Sequence, residues 1–278
     1  MKIAVLSGKG GAGKTFIAVN LANVMENSLY ADCDVEEPNG HLFFKNTVDE
    51  KKDVAVKIPK AEAEKCIGCK ECVEFCKFNA LAYTKSLIVF DDICHSCGGC
   101  KIVCPQNAIY ETLKVIGSIE KGRSQNTLVV TGTMKEGVAS GVPIINEIVK
   151  KLNEISCDSV IDCPPGSACV VMESIKDADF CILVAEPTVF SSHNLNMVYE
   201  LVKLFNKPMG VVLNKDTNSF NSSEALCNEK GIKILEKIPY DKELAHITSQ
   251  GEIASRKDKV YFELFYNLYN KVKEEVGR

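Results

Sequence analysis

Short, unbroken apolar runs recur along the chain at Ile3–Leu6, Leu29–Ala31, Leu128–Thr131, Val160–Asp162, Phe180–Ala185, Met209–Leu213 and Ile234–Ile238, with helix-patterned stretches between them. Strands covered on both faces read as continuous hydrophobic runs, so this alternation predicts an α/β fold: a mostly parallel sheet with helices on both faces. Near the end, Val260, Tyr261, Leu264, Phe265, Leu268, Tyr269 and Val272 repeat at helical spacing. The flanks of that run are mixed in charge rather than basic, which predicts a helix packed on the sheet and not one lying on a membrane. Between the second and third apolar runs the pattern changes. Leu81–Tyr83 and Leu87–Phe90 flank a short polar turn and predict a small hairpin. Lys51, Lys52, Lys57 and Lys60 mark a polar entry to this segment. The expected organisation is one discontinuous domain, residues 1–58 with 112–278, interrupted by an inserted unit over 59–111.

Composition narrows the class of partner. Of 278 residues, 46% are hydrophobic and 25% charged, the balance of an ordinary globular protein. Thirty-three basic against thirty-seven acidic side chains leave a net charge of -4. No broad cationic surface follows, so neither nucleic acid nor anionic lipid is an expected partner. Met-Lys-Ile-Ala-Val-Leu-Ser at the start has too short an apolar stretch for a secretory signal, and no run approaches the roughly 18 apolar residues of a membrane helix. The expected compartment is therefore reducing and cytoplasmic. Fourteen cysteines in that setting point to metal rather than to disulfides.

Eight of those cysteines form two sets, Cys66, Cys69, Cys72, Cys76 and Cys94, Cys97, Cys100, Cys104, each spaced C-x-x-C-x-x-C-x-x-x-C. Each cysteine of the first set recurs 28 residues later, as do Asn79 at Asn107 and Ala80 at Ala108, so the segment is an internal repeat. Three thiolates at this spacing wrap one iron-sulfur cube while the fourth reaches across to a second. Zinc needs only two C-x-x-C knuckles and has no use for the third cysteine. The segment resembles bacterial-type ferredoxins with two 4Fe-4S clusters. The resemblance assigns Cys66, Cys69, Cys72 and Cys104 to one cluster and Cys94, Cys97, Cys100 and Cys76 to the other. Lys77 stands where that family has a proline, which leaves the ligands intact and alters the surroundings of the second cluster. His95, beside Cys94, is read as a solvated loop residue, with ligation or tuning of the potential as the alternative.

The other end of the chain carries a different motif. Gly8-Lys9-Gly10-Gly11-Ala12-Gly13-Lys14-Thr15 matches G-x-x-x-x-G-K-[ST] directly after an apolar strand and before the helix-like run Phe16 to Met25. Glycines let backbone N–H groups turn inward around phosphates, Lys14 meets the β and γ phosphates, and Thr15 offers its hydroxyl to Mg2+. Lys9 makes the loop K-G-G-x-G-K-T, which resembles the deviant Walker A loop of the MinD, ParA, Mrp and nitrogenase iron protein superfamily. Three further segments occur in the order that superfamily has. Asp32-Cys33-Asp34 resembles its switch I, Ser159-Val160-Ile161-Asp162 its Walker B strand, and Cys163-Pro164-Pro165-Gly166 its switch II.

That resemblance implies an ATPase. Lys9 would reach the phosphates of a second subunit, identical or related, across a nucleotide-sandwich dimer. Asp162 would stand in the Mg2+ shell, and Asp32 or Asp34 would orient the attacking water and metal. Ala185-Glu186-Pro187-Thr188 and Val211-Val212-Leu213-Asn214-Lys215 resemble family segments near the nucleotide. Asn214 is the candidate for the adenine edge, and Pro239 and Asp241, within Ile238-Pro239-Tyr240-Asp241, for closing that pocket. The remaining cysteines, Cys33, Cys157, Cys163, Cys169, Cys181 and Cys227, are expected to be buried thiols. Cys169 lies near the position of a bridging-cluster ligand in nitrogenase iron proteins, but the corresponding second loop, Gly132–Pro143, has no cysteine.

Three functions are compatible with this reading. The first is an ATP-hydrolysing electron carrier with two 4Fe-4S clusters and an unidentified redox partner. The second is an ATPase that hands a cluster or metal cofactor to an assembly partner, and the third is a positioning ATPase. A full ligand set favours retention of the clusters, and positioning would predict a lipid-binding or basic DNA-binding surface, neither of which is evident in the sequence.

Overall fold

The computed structural model describes residues 1–217 and 219–277. The chain starts with β1 (Lys2–Leu6), α1 (Lys14–Val24), β2 (Leu29–Asp32) and the short α2 (Gly40–Phe44). Two long strands then enclose the cysteine segment: β3 (Thr47–Ala61) before it and β6 (Ile109–Ser124) after it. Between them lie α3 (Glu71–Phe75), β4 (Leu81–Tyr83), β5 (Leu87–Val89) and α4 (Gly99–Ile102). Then come β7 (Thr127–Met134), α5 (Val142–Glu154), β8 (Ser159–Asp162), α6 (Cys169–Ile175), β9 (Phe180–Ala185) and α7 (Val189–Leu204). The chain closes with β10 (Met209–Asp216), α8 (Ser222–Lys230), β11 (Ile234–Pro239), α9 (Lys242–Ser249), α10 (Ala254–Lys257) and α11 (Lys259–Val276).

Nine strands form one mixed sheet in the order β11-β10-β9-β1-β8-β2-β7-β6-β3, parallel from β11 to β7 and antiparallel at β6 and β3. All seven apolar runs are strands of its parallel part. Alternate side chains of β1 enter opposite layers: Ala4 and Leu6 pack with Ile144, Ile148 and Val198, while Ile3 and Val5 pack with Ile17, Phe265 and Leu268. Helix α1 is buried along nearly its whole length, as a helix apolar on every side must be. The terminal helix α11 packs Phe265, Leu268, Tyr269 and Val272 inward, with Phe265 edge-on to Phe16 at 5.5 Å. The predicted hairpin is the two-stranded sheet β4-β5.

The lysines read as a polar entry lie on a strand. Lys51, Lys52, Lys57 and Lys60 belong to β3, the outer edge of the sheet, where charged side chains discourage pairing with another chain. The expected boundaries at 58/59 and 111/112 therefore fall inside β3 and β6, and the Asp32–Asp34 segment is separated from the cysteines by α2 and the whole of β3. Thr47 pairs with Arg123 and Ala61 with Ile109, so the two strands are matched from end to end. β7 ends at Met134, opposite Gly117. Residues 109–116 and their partners on β3 run on past that point as a two-stranded arm, about 27 Å long at roughly 3.4 Å per residue. The arm leaves from the edge of the sheet where β1, β2 and β8 end.

Candidate functional site

Strand β1 delivers the chain into the loop Ser7–Gly13, whose left-handed residues Gly11 (φ 80°) and Gly13 (φ 98°) turn it into α1. Ser7 Oγ donates to the Lys9 carbonyl at 2.7 Å, and the Gly166 N–H donates to the Ser7 carbonyl at 3.0 Å, tying the loop to the segment after β8. Because β2 and β8 are neighbours in register, Asp32 stands opposite Asp162. Lys14 Nζ lies 3.5 Å from Asp34 Oδ2 and 3.5 Å from Asp162 Oδ1. Burial opposes the Lys14 charge, but Asp162 and Asp34 outweigh it and raise its pKa, so Lys14 is an ammonium at any physiological pH.

Asp32 and Asp34 have different surroundings. Asp32 is fully buried and accepts from the backbone N–H groups of Asp34 (3.2 Å) and Gly40 (2.9 Å). Burial, then the nearby Asp162, push its pKa well up. Asp34 is half-buried and lines a cleft of about 530 Å3 with Gly10, Gly11, Lys14, Thr15 and Pro164. Burial raises its pKa despite the opposing pull of Lys14. Asp32 thus shapes the loop while Asp34 faces the space a nucleotide would fill.

A second pocket, about 330 Å3, shares Gly11, Gly13, Phe16 and Thr248 with this cleft, and its further lining includes Asn214, Lys215, Pro239, Tyr240, Asp241 and Leu244. The three residues expected at adenine are therefore brought together. Asn214 Nδ2 donates to the Ala12 carbonyl at 2.9 Å. The Asp241 carboxylate caps α9 through the Glu243 N–H (2.8 Å) and accepts from Tyr261 Oη (2.9 Å), so it shapes the wall. A polar cleft joined to a more apolar pocket suits phosphates at one end and a base at the other.

Lys9 is half-buried, ion-paired with Glu186 and placed 5.6 Å from the Phe190 ring centroid. Lys215 Nζ bonds the same carboxylate at 2.6 Å and the Gly11 carbonyl at 3.0 Å. Glu186 thus gathers two lysines beside the phosphate loop. Burial works against its ionisation, yet Lys215 and Lys9 hold its pKa below the usual range. Nothing in the sequence pairs Glu186 with Lys9 and Lys215, although Glu186 and Lys215 both stand in segments that resemble the family's nucleotide-side motifs. Tyr30 was missed as well: it is fully buried in β2, and its hydroxyl donates to Asp162 Oδ2 at 2.9 Å. Burial and Asp162 hold that phenol well above its ordinary pKa. Its aromatic ring in an apolar strand gave no signal beyond core packing.

At the tip of the arm the eight repeat cysteines line two cavities. Cys66, Cys69, Cys72 and Cys104 surround one, with Tyr83 and Leu87. Cys76, Cys94, Cys97 and Cys100 surround the other, with Phe75, Phe78 and His95. The last cysteine of each set has crossed to its partner's cavity. The sequence repeat is also a backbone repeat: Gly68 and Ser96, Lys70 and Gly98, Asn79 and Asn107 are all left-handed, each pair 28 residues apart. Burial lifts the thiol pKa of Cys72, Cys94 and Cys100, the last to about 11, and neighbouring cysteines add to it. Among the described residues no three such side chains converge on a point fit for a single metal ion. Four sulfur donors around a cavity instead fit a cluster of several irons. His95 is exposed and stacks on Phe78 with ring centroids 3.9 Å apart.

Of the other six cysteines, Cys33, Cys163, Cys181 and Cys227 are buried, whereas Cys157 is half-buried and Cys169 is exposed at the start of α6. Cys169 follows the Pro-Pro-Gly turn onto a short surface helix, which corrects the expectation of burial.

Two contact lines join the cleft to the arm. The Met134 N–H donates to the Val35 carbonyl at 2.8 Å, and the next N–H, of Lys135, donates to the Ile116 carbonyl on β6 at 2.9 Å. Farther along that loop, a Cβ at Gly137 would lie 3.9 Å from Asp92 Cγ, and Asp92 is bonded by Lys114 of the arm at 2.7 Å. At the other end of β6, remote from the arm, the Phe44 carbonyl accepts from Ser124 Oγ at 2.6 Å.

The family model for the CobQ/CobB/MinD/ParA nucleotide binding domain matches residues 3–254. An uncharacterized protein of Methanocaldococcus jannaschii is 30% identical, with 99% of this chain and 97% of its own length aligned. The iron-sulfur cluster carrier protein of Pyrococcus horikoshii is 25% identical over 99% of this chain and 88% of its own length. An uncharacterized ferredoxin of M. jannaschii is 36% identical over 23% of this chain and 88% of its own length. Among solved structures, the cell division ATPase MinD of Pyrococcus furiosus superposes with a TM-score of 0.61 at 19% identity, covering 98% of both chains. No helix of the described residues is long and apolar enough to cross a membrane.

Proposed function

This chain belongs to the CobQ/CobB/MinD/ParA nucleotide-binding family, and from that premise we propose that it is an ATP-hydrolysing iron-sulfur protein in which nucleotide state controls electron transfer through two 4Fe-4S clusters. The loop Gly8–Thr15 would hold the phosphates, with Lys14 on the β and γ groups and Asn214, Pro239 and Asp241 around the base. Thr15 and Asp162 would face Mg2+, and Asp34 would orient water for in-line attack while Asp32 holds the switch I loop in place. Lys9 would leave Glu186 and reach the phosphates of a second subunit, making hydrolysis depend on dimerisation.

Cys66, Cys69, Cys72 and Cys104 would hold one cluster and Cys76, Cys94, Cys97 and Cys100 the other, within an inserted unit that keeps the expected bounds of 59–111 as its functional part. Each cluster, when bound, supplies a one-electron redox centre. The observation that carries the coupling is the hydrogen-bonded path from Val35, next to Asp34, through Met134 and Lys135 to Ile116 at the start of the arm. A shift of switch I on binding or cleaving ATP then moves the ground on which the cysteine segment stands.

Anaerobically prepared protein should contain about eight irons per chain, four per cluster, with Cys66→Ser or Cys94→Ser each removing about four. Reduced and examined by electron paramagnetic resonance, its signals should differ between nucleotide-free, MgATP and MgADP states. Zinc in place of iron, or one spectrum in all three states, overturns the proposal. The likeness to an iron-sulfur cluster carrier supports a second reading, transfer of a cluster to an acceptor. Iron retained over many turnovers with an apo-acceptor present favours electron transfer; iron lost to the acceptor favours delivery.

A further inference from the structure

Magnesium-side carboxylates must be held still, because a freely rotating carboxylate presents its oxygens to a metal only part of the time. Asp162 has two oxygens in different surroundings. Oδ1 faces Lys14 at 3.5 Å, whereas Oδ2 accepts from Tyr30 at 2.9 Å. With Oδ2 engaged by a fully buried donor, rotation about the carboxylate bond breaks a hydrogen bond in a site where no solvent replaces it.

Tyr30 is in turn held from behind. Its ring packs on Phe44 with centroids 4.9 Å apart. Its hydroxyl lies against Gly40, where an added methyl group would overlap it, and the Gly40 N–H is bonded to Asp32. Phe44 ends α2, three residues before β3 begins, and its carbonyl is tied to Ser124, the last residue of β6. Arg256 donates to the same Ser124 hydroxyl at 3.1 Å and covers the Phe44 ring. One side chain therefore touches the end of β8 and both ends of α2, and the last residue of α2 is tied to the end of β6 remote from the cysteines.

We infer that Tyr30 is a positioning residue: its hydroxyl fixes Asp162 for the metal, and its ring carries the carboxylate's position through Phe44 to the end of the β3–β6 pair remote from the cysteines. The inference rests on the Mg2+ role proposed for Asp162. It adds a residue whose loss leaves every phosphate contact in place.

Two substitutions test it by separate routes. Tyr30→Phe keeps the ring and removes the donor, and Gly40→Ala keeps the donor and displaces it. With the full chain, three quantities are measured: ATP affinity in chelator, the Mg2+ concentration giving half-maximal tightening of ATP binding, and hydrogen exchange at 44–48 and 121–125 with and without MgATP. Asp162→Asn serves as the reference. Both variants should bind metal-free ATP within about twofold of the parent, need about tenfold more Mg2+, and lose the MgATP-induced change in exchange at 44–48 and 121–125. Equal weakening of metal-free and metal-dependent binding marks a merely structural role and overturns the inference. So does an unchanged Mg2+ requirement when Asp162→Asn shifts it. A raised Mg2+ requirement with an intact exchange response overturns the link through Phe44 to the end of β6. If Asp162→Asn also leaves the requirement unchanged, the metal role of Asp162 fails and the inference with it.

Discussion

Gly13→Ala tests whether the phosphate loop is built as its geometry implies. Gly13 sits at φ 98° and ψ 20°, left-handed backbone that costs a residue with a Cβ about 1–2 kcal/mol. The new methyl group would also overlap Asn214 Nδ2. Asn214 is buried and donates to Ala12, so displacing it leaves polar atoms without partners at about 1–3 kcal/mol. The total is roughly 2–5 kcal/mol. If the loop keeps its shape, the loss appears in unfolding free energy. If it relaxes, the loss appears when ATP forces the loop back, as a fall in affinity of roughly thirtyfold to several thousandfold. Urea unfolding and ATP titration on the same preparation therefore measure two parts of one sum. Gly10→Ala is the control: it has no left-handed φ and nothing within 4 Å of the added atom, so its stability should change by less than about 0.5 kcal/mol. A Gly13→Ala protein with stability and affinity both within that margin refutes the reasoning.

Lys14→Ala should abolish ATP binding, whereas Lys9→Ala should bind ATP and fail to hydrolyse it; calorimetric titration and phosphate release separate the two. Phe265→Ala, which empties a fully buried site against Phe16, should cost about 3–5 kcal/mol in urea unfolding and leave ATP affinity unchanged in the folded fraction. Acid should weaken the fold through Glu186, whose pKa Lys215 and Lys9 hold below the ordinary 4.5. A carboxylate with a depressed folded value stabilises fully above its unfolded pKa and loses that contribution as pH falls through the folded value. Thermal melting should therefore show a smaller drop below pH 4.5 for Glu186→Gln than for the parent.

The seven parallel strands, the phosphate loop and the cysteine repeat could be read from the chain itself. Each depends on local chemistry: an apolar run is buried wherever it lies, a Gly-rich loop before a helix cradles phosphate, and a 28-residue repeat of thiols carries its own spacing. The crossed sets of Cys76 and Cys104 are what the resemblance to two-cluster ferredoxins implies, and the structure lines its two cavities with those same sets. The arm was not legible. Strands β3 and β6 are charged and half-exposed, so they lack the continuous apolar signal, and their pairing joins residues as far apart as Thr47 and Arg123. Nor could sequence separate Asp32 from Asp34, one locked on backbone N–H groups and the other facing the cleft. Glu186 beside Lys9, and Tyr30 beside Asp162, are neighbours only because strands distant in sequence lie next to each other in the sheet. Residue type and spacing determined which chemistries the chain carries. Sheet order and register decided which of those groups touch, and so how the nucleotide cleft connects to the cysteine arm.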